Sequence, residues 1–440
     1  MHKFGEFICK YRVFILIISV LLIIPSVIGM AKTRVNYDIL TYLPDDNETI
    51  QGQNILKNDF EMGAYSIILV DDLHEKQILE FENKLRKMDN VSMVASVADV
   101  LGDGIPKDIL PDKVKDVLYK DESTIIMVTF KDGISTDKTL DTVEEIRKIA
   151  DDSFEITGMT AVLLDTKYLS ESELTAYVII AVVLCLIVLQ IALDSFAAPV
   201  FLLLNIGLAI IYNMGTNYFL GEVSYITKAI AAVLQLGVTT DFAIFLYHSY
   251  MRNKENNIES KEAMVSAISE TLGSVFGSSI TTIAGFLALC GMELTLGKDI
   301  GIVMAKGVLF GLICVVTILP AMILCFEKLI EKTKHKSILP EFRHLKTFIL
   351  KFHLLIIVSF IIILPIAFYG YNNTKVYYNL DSKLPKDLDS VKANENLNKK
   401  FNLATIEMLL IDSNIENEDM NEMIDKIEKV NGVDWAIRDF

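Results

Sequence analysis

The chain has 440 residues, 52% of them hydrophobic, and a mean hydropathy of +0.41, too apolar for an ordinary soluble protein. Its 22% of charged residues is too many for membrane spans alone, so a polytopic membrane protein with a substantial water-exposed part fits both figures. A formal net charge of −16 argues against nucleic acid as a partner, because phosphate recognition needs a basic surface. Cys9, Cys185, Cys290, Cys314 and Cys325 all lie in or beside apolar runs, which suits small packing residues and gives the polar segments no disulfide framework. No phosphate-cradling loop, zinc-type His/Glu motif, paired CxxC or nucleophile–base set is visible. The sequence therefore points to no cofactor, no metal and no enzymatic activity.

In chain order, Met1–Arg12 is short and basic, and Val13–Met30 is an apolar run longer than a usual signal-peptide core and without a clean small-x-small site. It reads as a retained membrane helix with its N-terminus in the cytoplasm. Residues 31–173 are polar and acidic. Strand patterns at Ala64–Val70, Val91–Val97, Ser123–Phe130 and Phe154–Thr157 alternate with helical ones at His74–Met88, Asp112–Lys120 and Thr136–Asp151. The order β-α-β, β-α-β is that of a ferredoxin-like (split βαβ) module. Its scattered carboxylates, His74 and Tyr65 read as a solvated face and packing residues.

Five further spans are expected at Leu174–Leu193, Ala197–Leu220, Ile226–Tyr247, Ser274–Met292 and Ile300–Phe326. Arg252–Leu272 reads as an interfacial amphipathic helix with Ser260 as N-cap and Glu262 in the first turn. Glu293, Lys298 and Lys306 fall near an outer helix end, where snorkelling accounts for them. The basic segment 327–353 then fits a cytoplasmic linker, Leu354–Tyr371 a seventh span, and residues 372–440 a second external segment.

One stretch stands out, Gly237-Val238-Thr239-Thr240-Asp241-Phe242, inside the fourth span. A carboxylate near a helix centre costs about 2.5–3.5 kcal/mol to insert, so it marks a functional site unless it serves as an interhelical hydrogen bond. Gln235, Thr239 and Thr240 suggest a helix that faces protein rather than lipid. A carboxyl held there can take a proton from one side and release it to the other, biasing two helix packings. On the fifth span Ser278, Ser279, Thr281 and Thr282 bring hydroxyls to membrane depth, either beside Asp241 or as ordinary packing contacts. His248 lies on the same helical face as Asp241, either passing protons or simply sitting at the interface. Gly237, Gly273/Gly277, Gly297/Gly301 and Gly307/Gly311 are small residues suited to close helix approach.

Thr33-Arg34-Val35-Asn36-Tyr37…Leu43-Pro44 is echoed by Thr374-Lys375-Val376-Tyr377-Tyr378…Leu384-Pro385, and the same register carries Phe60 onto Phe401. Thr405–Ile411, Glu416–Lys429 and Val433–Ile437 then match the first module's strand, helix and second strand. A duplicated unit of helix plus soluble module suggests a two-half transporter-like architecture whose second copy is incomplete here, as in a C-terminally truncated chain.

With the repeat in view, the chain resembles the resistance–nodulation–division superfamily in its MMPL-like branch. The residues that carry this are Gly237–Phe242 with the following AIFLYHSY, Ser278–Leu289 and Thr317–Ile323. The resemblance implies an α-helical polytopic protein of the bacterial cytoplasmic membrane with extracytoplasmic ferredoxin-like porter modules. It also implies proton-driven export of lipid or hydrophobic molecules, with protons, membrane lipid and a lipid-like substrate as partners, and it allows monomers and trimers. Asp241 matches the family's relay aspartate, with Thr239, Thr240, Thr281, Thr282 and His248 as its surroundings. Many relatives have Tyr after that Asp where this chain has Phe242, so one relay hydroxyl is missing, and the acidic helix of a second half is missing too. The alternative is a non-exporting lipid- or sterol-sensing or protein-translocation accessory module of the same fold, or an inactive fragment.

Overall fold

The computed structural model describes residues 2–71, 74–96, 119–120, 123–151, 153–255, 259–336, 343–375, 384–403, 406–411, 414–433 and 436. Two helices open the chain, α1 (His2–Lys10) and α2 (Arg12–Lys32), followed by strand β1 (Arg34–Asn36). Next come α3 (Glu48–Asp59), β2 (Ala64–Asp71), α4 (Glu75–Leu85), β3 (Val91–Ser96), β4 (Tyr119–Lys120), β5 (Ser123–Phe130), α5 (Asp137–Ile149) and β6 (Phe154–Thr157). Helices α6 (Met159–Ala192) and α7 (Ala198–Thr216) lead to strand β7 (Glu222–Ser224) and then to α8 (Tyr225–Glu255), α9 (Ser260–Ala288) and α10 (Thr295–Cys325). The chain continues through α11 (Glu327–Lys332), α12 (Arg343–Lys351), α13 (His353–Asn373), α14 (Asp389–Phe401) and α15 (Asn417–Ile427). Among the described residues seven helices are long and apolar enough to cross a membrane: α2, α6, α7, α8, α9, α10 and α13. This is a multi-pass membrane protein.

Two compact units emerge, residues 1–43 with 169–380, and residues 44–168 with 381–440. In the second, the strand order is β3-β5-β2-β6 with β4 beside β5, and every pairing is antiparallel. Strands β2 and β5 bury residues on both faces, so they read as continuous apolar runs rather than as an alternation. One face packs Ile67, Leu69 and Ile125 against Leu397, Phe401 and Leu403, which belong to α14 and the residues after it. Polar contacts fix α14 in place. The Ser390 N–H donates to Asp165 Oδ2 at 2.9 Å, Asn396 donates to Glu155 at 2.9 Å, and Lys400 Nζ lies 2.6 Å from Asp71. Arg147 holds Asp165 from the other side through two bonds, at 2.5 and 3.0 Å. The expected helix Asp112–Lys120 lies almost wholly outside the described residues. The expected strand Thr405–Ile411 is corrected: residues 406–411 pair with no strand among the described residues, and Leu409, Leu410 and Ile411 are exposed. Without ladder bonds an apolar run is not a strand.

In the first unit α10 and α7 are the most enclosed spans, with 67% and 61% of their apolar windows buried, whereas α13 has no buried residue. Helices α2 and α7 touch backbone to backbone at Gly29 and Gly215, where a Cβ on either would collide with the other chain segment. The Tyr212 hydroxyl beside them donates to Ser19 O at 2.6 Å. Strand β1 pairs in parallel with β7, joining Arg34–Asn36 to Glu222–Ser224. The basic N-terminal tail is itself helical, and α1 buries Gly5, Ile8 and Cys9. The separate interfacial helix expected at Arg252–Leu272 is not formed. Arg252–Glu255 end α8, and Ser260–Leu272 run straight into the fifth span as α9, whose first turns bury Ala263, Met264, Val265, Ala267 and Ile268. Glu259, not Ser260, is the N-cap, and the Ser260 hydroxyl is taken by Glu327.

Candidate intramembrane site

Helix α8 has two faces. Ala231, Gln235, Leu236, Thr239, Phe242, Ala243, Leu246 and Tyr247 are buried, while Leu234, Gly237, Asp241, Phe245 and His248 form an exposed stripe at spacings of three and four. The expectation that Asp241 faces the protein interior is therefore corrected. Its carboxylate lies on the outer stripe and has no hydrogen-bond partner among the described residues. A Cβ on Gly237, one turn earlier, would meet nothing within 4 Å. Asp241 and His248 share this stripe, whereas Thr239 and Thr240 do not. Thr239 points away toward Gly311 of α10, and Thr240 donates to Leu236 O at 2.5 Å with Cys185 Sγ of α6 at 3.7 Å. Phe242 is packed in the apolar core of the bundle.

On α9, Thr281 and Thr282 both donate back to Ser278 O, at 2.8 and 2.9 Å, which satisfies their hydroxyls within the helix. Thr281 is exposed, Thr282 half-buried, and the structure gives neither a bond to Asp241. Gly273 and Gly277 have open space at the position of a Cβ. Gly307 and Gly311 differ: a Cβ would come within 2.6 Å of Asn213 Nδ2 and of Thr239 Oγ1, respectively. These two glycines let α10 approach α7 and α8.

A second polar group was read in the sequence only as a snorkelling lysine. Lys306 is the twelfth residue of α10, because the helix starts at Thr295 and not at Ile300; that places it about 16 Å along the helix axis. Its Nζ donates to Asn213 O at 2.9 Å, Thr216 Oγ1 at 2.9 Å and Asn217 Oδ1 at 2.6 Å, all from the end of α7. Asn213 Nδ2 donates to Gln235 Oε1 at 2.9 Å, and Gln235 Nε2 donates to Gly307 O at 3.0 Å. Asn213, Gln235 and Thr239 are fully buried. Closer to the start of α10, Asp299 accepts from the Ser224 N–H at 2.8 Å and from the Thr227 hydroxyl at 2.5 Å. The sequence signal was present: two asparagines one turn apart near the end of an apolar span, with a lysine and a glutamine in its neighbours.

The opposite end of the bundle carries an ion cluster. Lys254 binds Glu327 and Glu331, and the Ser260 and Tyr250 hydroxyls also donate to Glu327. Burial would raise the Glu327 carboxyl, but its bonds to Lys254 and Ser260 outweigh that and hold it below its ordinary value. Ser195, Tyr247, Tyr250, Lys254, Glu327 and Lys334 line a cavity of about 180 Å³ beside it. Among the described residues no cluster of His, Cys, Asp and Glu suits a metal ion.

Residues 42–347 match the family model described as the MMPL family. The chain belongs to the MMPL family. A protein of Methanocaldococcus jannaschii named as a membrane protein is 26% identical over 359 residues, which cover 71% of this chain and 91% of that protein. The apo-petrobactin exporter of Bacillus anthracis is 24% identical over 337 residues, 70% of this chain and 42% of the exporter. A protein of Mycobacterium tuberculosis named as a transport protein, MmpL12, is 28% identical over 177 residues, 38% of this chain and 15% of the relative. The chain thus spans less than half the length of the two relatives named for transport.

Proposed function

We propose that this chain acts in proton-driven export of lipid-like or hydrophobic molecules across the cytoplasmic membrane, with the N-terminus of α1 inside. The observation that carries the reading is Asp241, a carboxylate at the middle of a spanning helix, on an exposed stripe with open space at Gly237. Left in hydrocarbon such a group is costly, so it calls for a polar partner or for protonation, and either state can favour a different helix packing. One charge crossing the membrane potential is worth about 2.3 kcal/mol per 100 mV, enough to drive such a two-state element.

Four antiparallel strands in the order β3-β5-β2-β6, with helices after β2 and β5, support reading residues 44–168 as an extracytoplasmic ferredoxin-like porter module. In this reading α14 is contributed to that module by the second copy of the repeat. Thr239, Thr240, Thr281, Thr282 and His248 are the surroundings of Asp241 rather than direct partners, and Gly307 and Gly311 set the spacing of α10. The test is efflux of a fluorescent lipid analogue from right-side-out vesicles under an imposed proton gradient. Efflux that follows the gradient and is lost in Asp241→Asn, at equal membrane insertion, is expected. Undiminished efflux by that variant contradicts the reading.

A further inference from the structure

Outside the seven spans, α1 has two faces. It buries Gly5, Ile8 and Cys9. A Cβ on Gly5 would lie 3.2 Å from Val265 Cα, and Cys9 Sγ reaches Lys261 O at 3.9 Å, so α1 runs antiparallel along the first turns of α9. Phe4, Phe7 and Tyr11 make the other face, exposed at spacings of three and four. Lys3, Lys10 and Lys261 are exposed beside them, and Arg12 and Lys261 are near enough to Cys9 for their charges to act on its thiol. Glu6 pairs with His2 at 3.2 Å and Glu262 is exposed on α9, so the basic side chains here outnumber the acidic ones. Exposed rings and lysines on a short amphipathic helix suit the bilayer interface.

Next to α1 a groove of about 440 Å³ opens between α9 and α10. Phe4 contributes to it from α1, Gly273 and Phe276 from α9, and Leu309, Leu312 and Val316 from α10, and every lining residue is apolar. Gly273 leaves its wall open, since a Cβ there would meet nothing within 4 Å. Leu309 to Val316 lie about 21–32 Å along α10 from its start at Thr295. In a hydrocarbon core about 30 Å thick, that places the groove in the half of the bilayer on the α1 side. An apolar cavity of about 150 Å³ already takes up benzene, and this one is close to three times that size, room for a length of alkyl chain. The basic side chains around α1 then stand where the head group of such a chain would be. A partner's spanning helix would fill the groove but leave those charges without a counterpart. An anionic lipid satisfies both the groove and the charges.

We propose that α1, α9 and α10 form a binding site for an anionic phospholipid of the leaflet on the α1 side, with an acyl chain in the groove at Gly273 and the head group against the basic side chains around α1. The lipid is a resident one, separate from any transported molecule, and the site does not depend on the transport reading above. Its acyl chain packs on Phe4 while its phosphate draws Lys3 and Lys261 together, so the lipid clamps α1 onto α9. Neutral lipids fill the same groove without that clamp.

The test is native mass spectrometry of the full chain in detergent, titrated with phosphatidylglycerol or with phosphatidylcholine of the same acyl chains. Wild type is expected to retain one phosphatidylglycerol about tenfold more tightly than phosphatidylcholine. Each basic side chain near an anionic head group contributes about fivefold, so Lys3→Gln/Lys261→Gln should abolish that preference while still binding both lipids. Gly273→Leu, which fills the groove from an open position, should weaken both lipids about tenfold and keep the preference. Equal retention of the two lipids by wild type overturns the proposal, and so does a preference that survives the double substitution. Unchanged phosphatidylglycerol binding in Gly273→Leu, or a second copy of the chain held in place of lipid, overturns it as well. The wild-type comparison decides even where a variant is not recovered folded.

Discussion

Lys306 and Asp241 both lie well along spanning helices, and the bundle treats these two charged side chains in opposite ways. Lys306 is enclosed, with three oxygens around its ammonium and Asn213, Gln235 and Gly307 continuing the hydrogen bonds across α7, α8 and α10. Asp241 is left on the outer stripe of α8, with Leu234, Gly237 and Phe245 for company and no bond among the described residues. The difference separates two jobs. The first site holds the helices together while holding a charge. The second spends no packing on its charge and keeps a smooth apolar surface, notched at Gly237, for whatever helix comes against it.

That contrast can be broken by substitution, and the largest effect is expected inside. Gly311→Val forces a side chain onto Thr239 and should cost about 3 kcal/mol, read as a lower thermal midpoint in detergent; an unchanged midpoint would mean α8 and α10 are not closely packed. Gln235→Leu leaves Asn213 Nδ2 unpaired in the core and should cost about 1–3 kcal/mol by the same assay. On the outer stripe the sign reverses. Gly237→Ala meets nothing within 4 Å and improves helix propensity, so it should leave the midpoint unchanged or raise it by up to about 1 kcal/mol of stability, while hindering any helix that docks there.

The ion cluster at the far end gives the smallest effect. Because Glu327 is held below its ordinary value of about 4.3, its contribution is fully present above that value and is lost as pH falls from there through the lower folded-state value. Thermal midpoints should therefore drop on acidification below about pH 4 in wild type and drop less in Glu327→Gln.

Much of this was legible in the sequence, and what was missed has a common cause. The strand limits of β5 and β6 agree with the periodicity, since apolar side chains on a half-open sheet report their own burial. Asp241 was visible because a carboxylate in an apolar run has no ordinary explanation. The face it occupies was not visible, since a helix of nearly uniform apolarity, such as α8, lacks the periodic contrast that tells inside from outside. Lys306 was misjudged for a related reason: the true helix start, five residues earlier than expected, moved it from an interfacial depth to an interior one. The docking of α14 on the sheet through Leu397, Phe401 and Asp165 joins segments more than two hundred residues apart, and no local pattern announces such a contact. Gly29 and Gly215 were overlooked because each is a lone small residue, and only their meeting gives them meaning.

The central claim is that Asp241 couples proton movement to transport. The direct measurement is the decay of an imposed pH gradient in proteoliposomes loaded with a pH-sensitive dye, for wild type and for Asp241→Asn at matched protein content. The account expects wild type to dissipate the gradient, faster with a lipid-like substrate present, and the variant to be slower by about 100-fold while keeping its thermal midpoint. Equal decay in both proteins would contradict it.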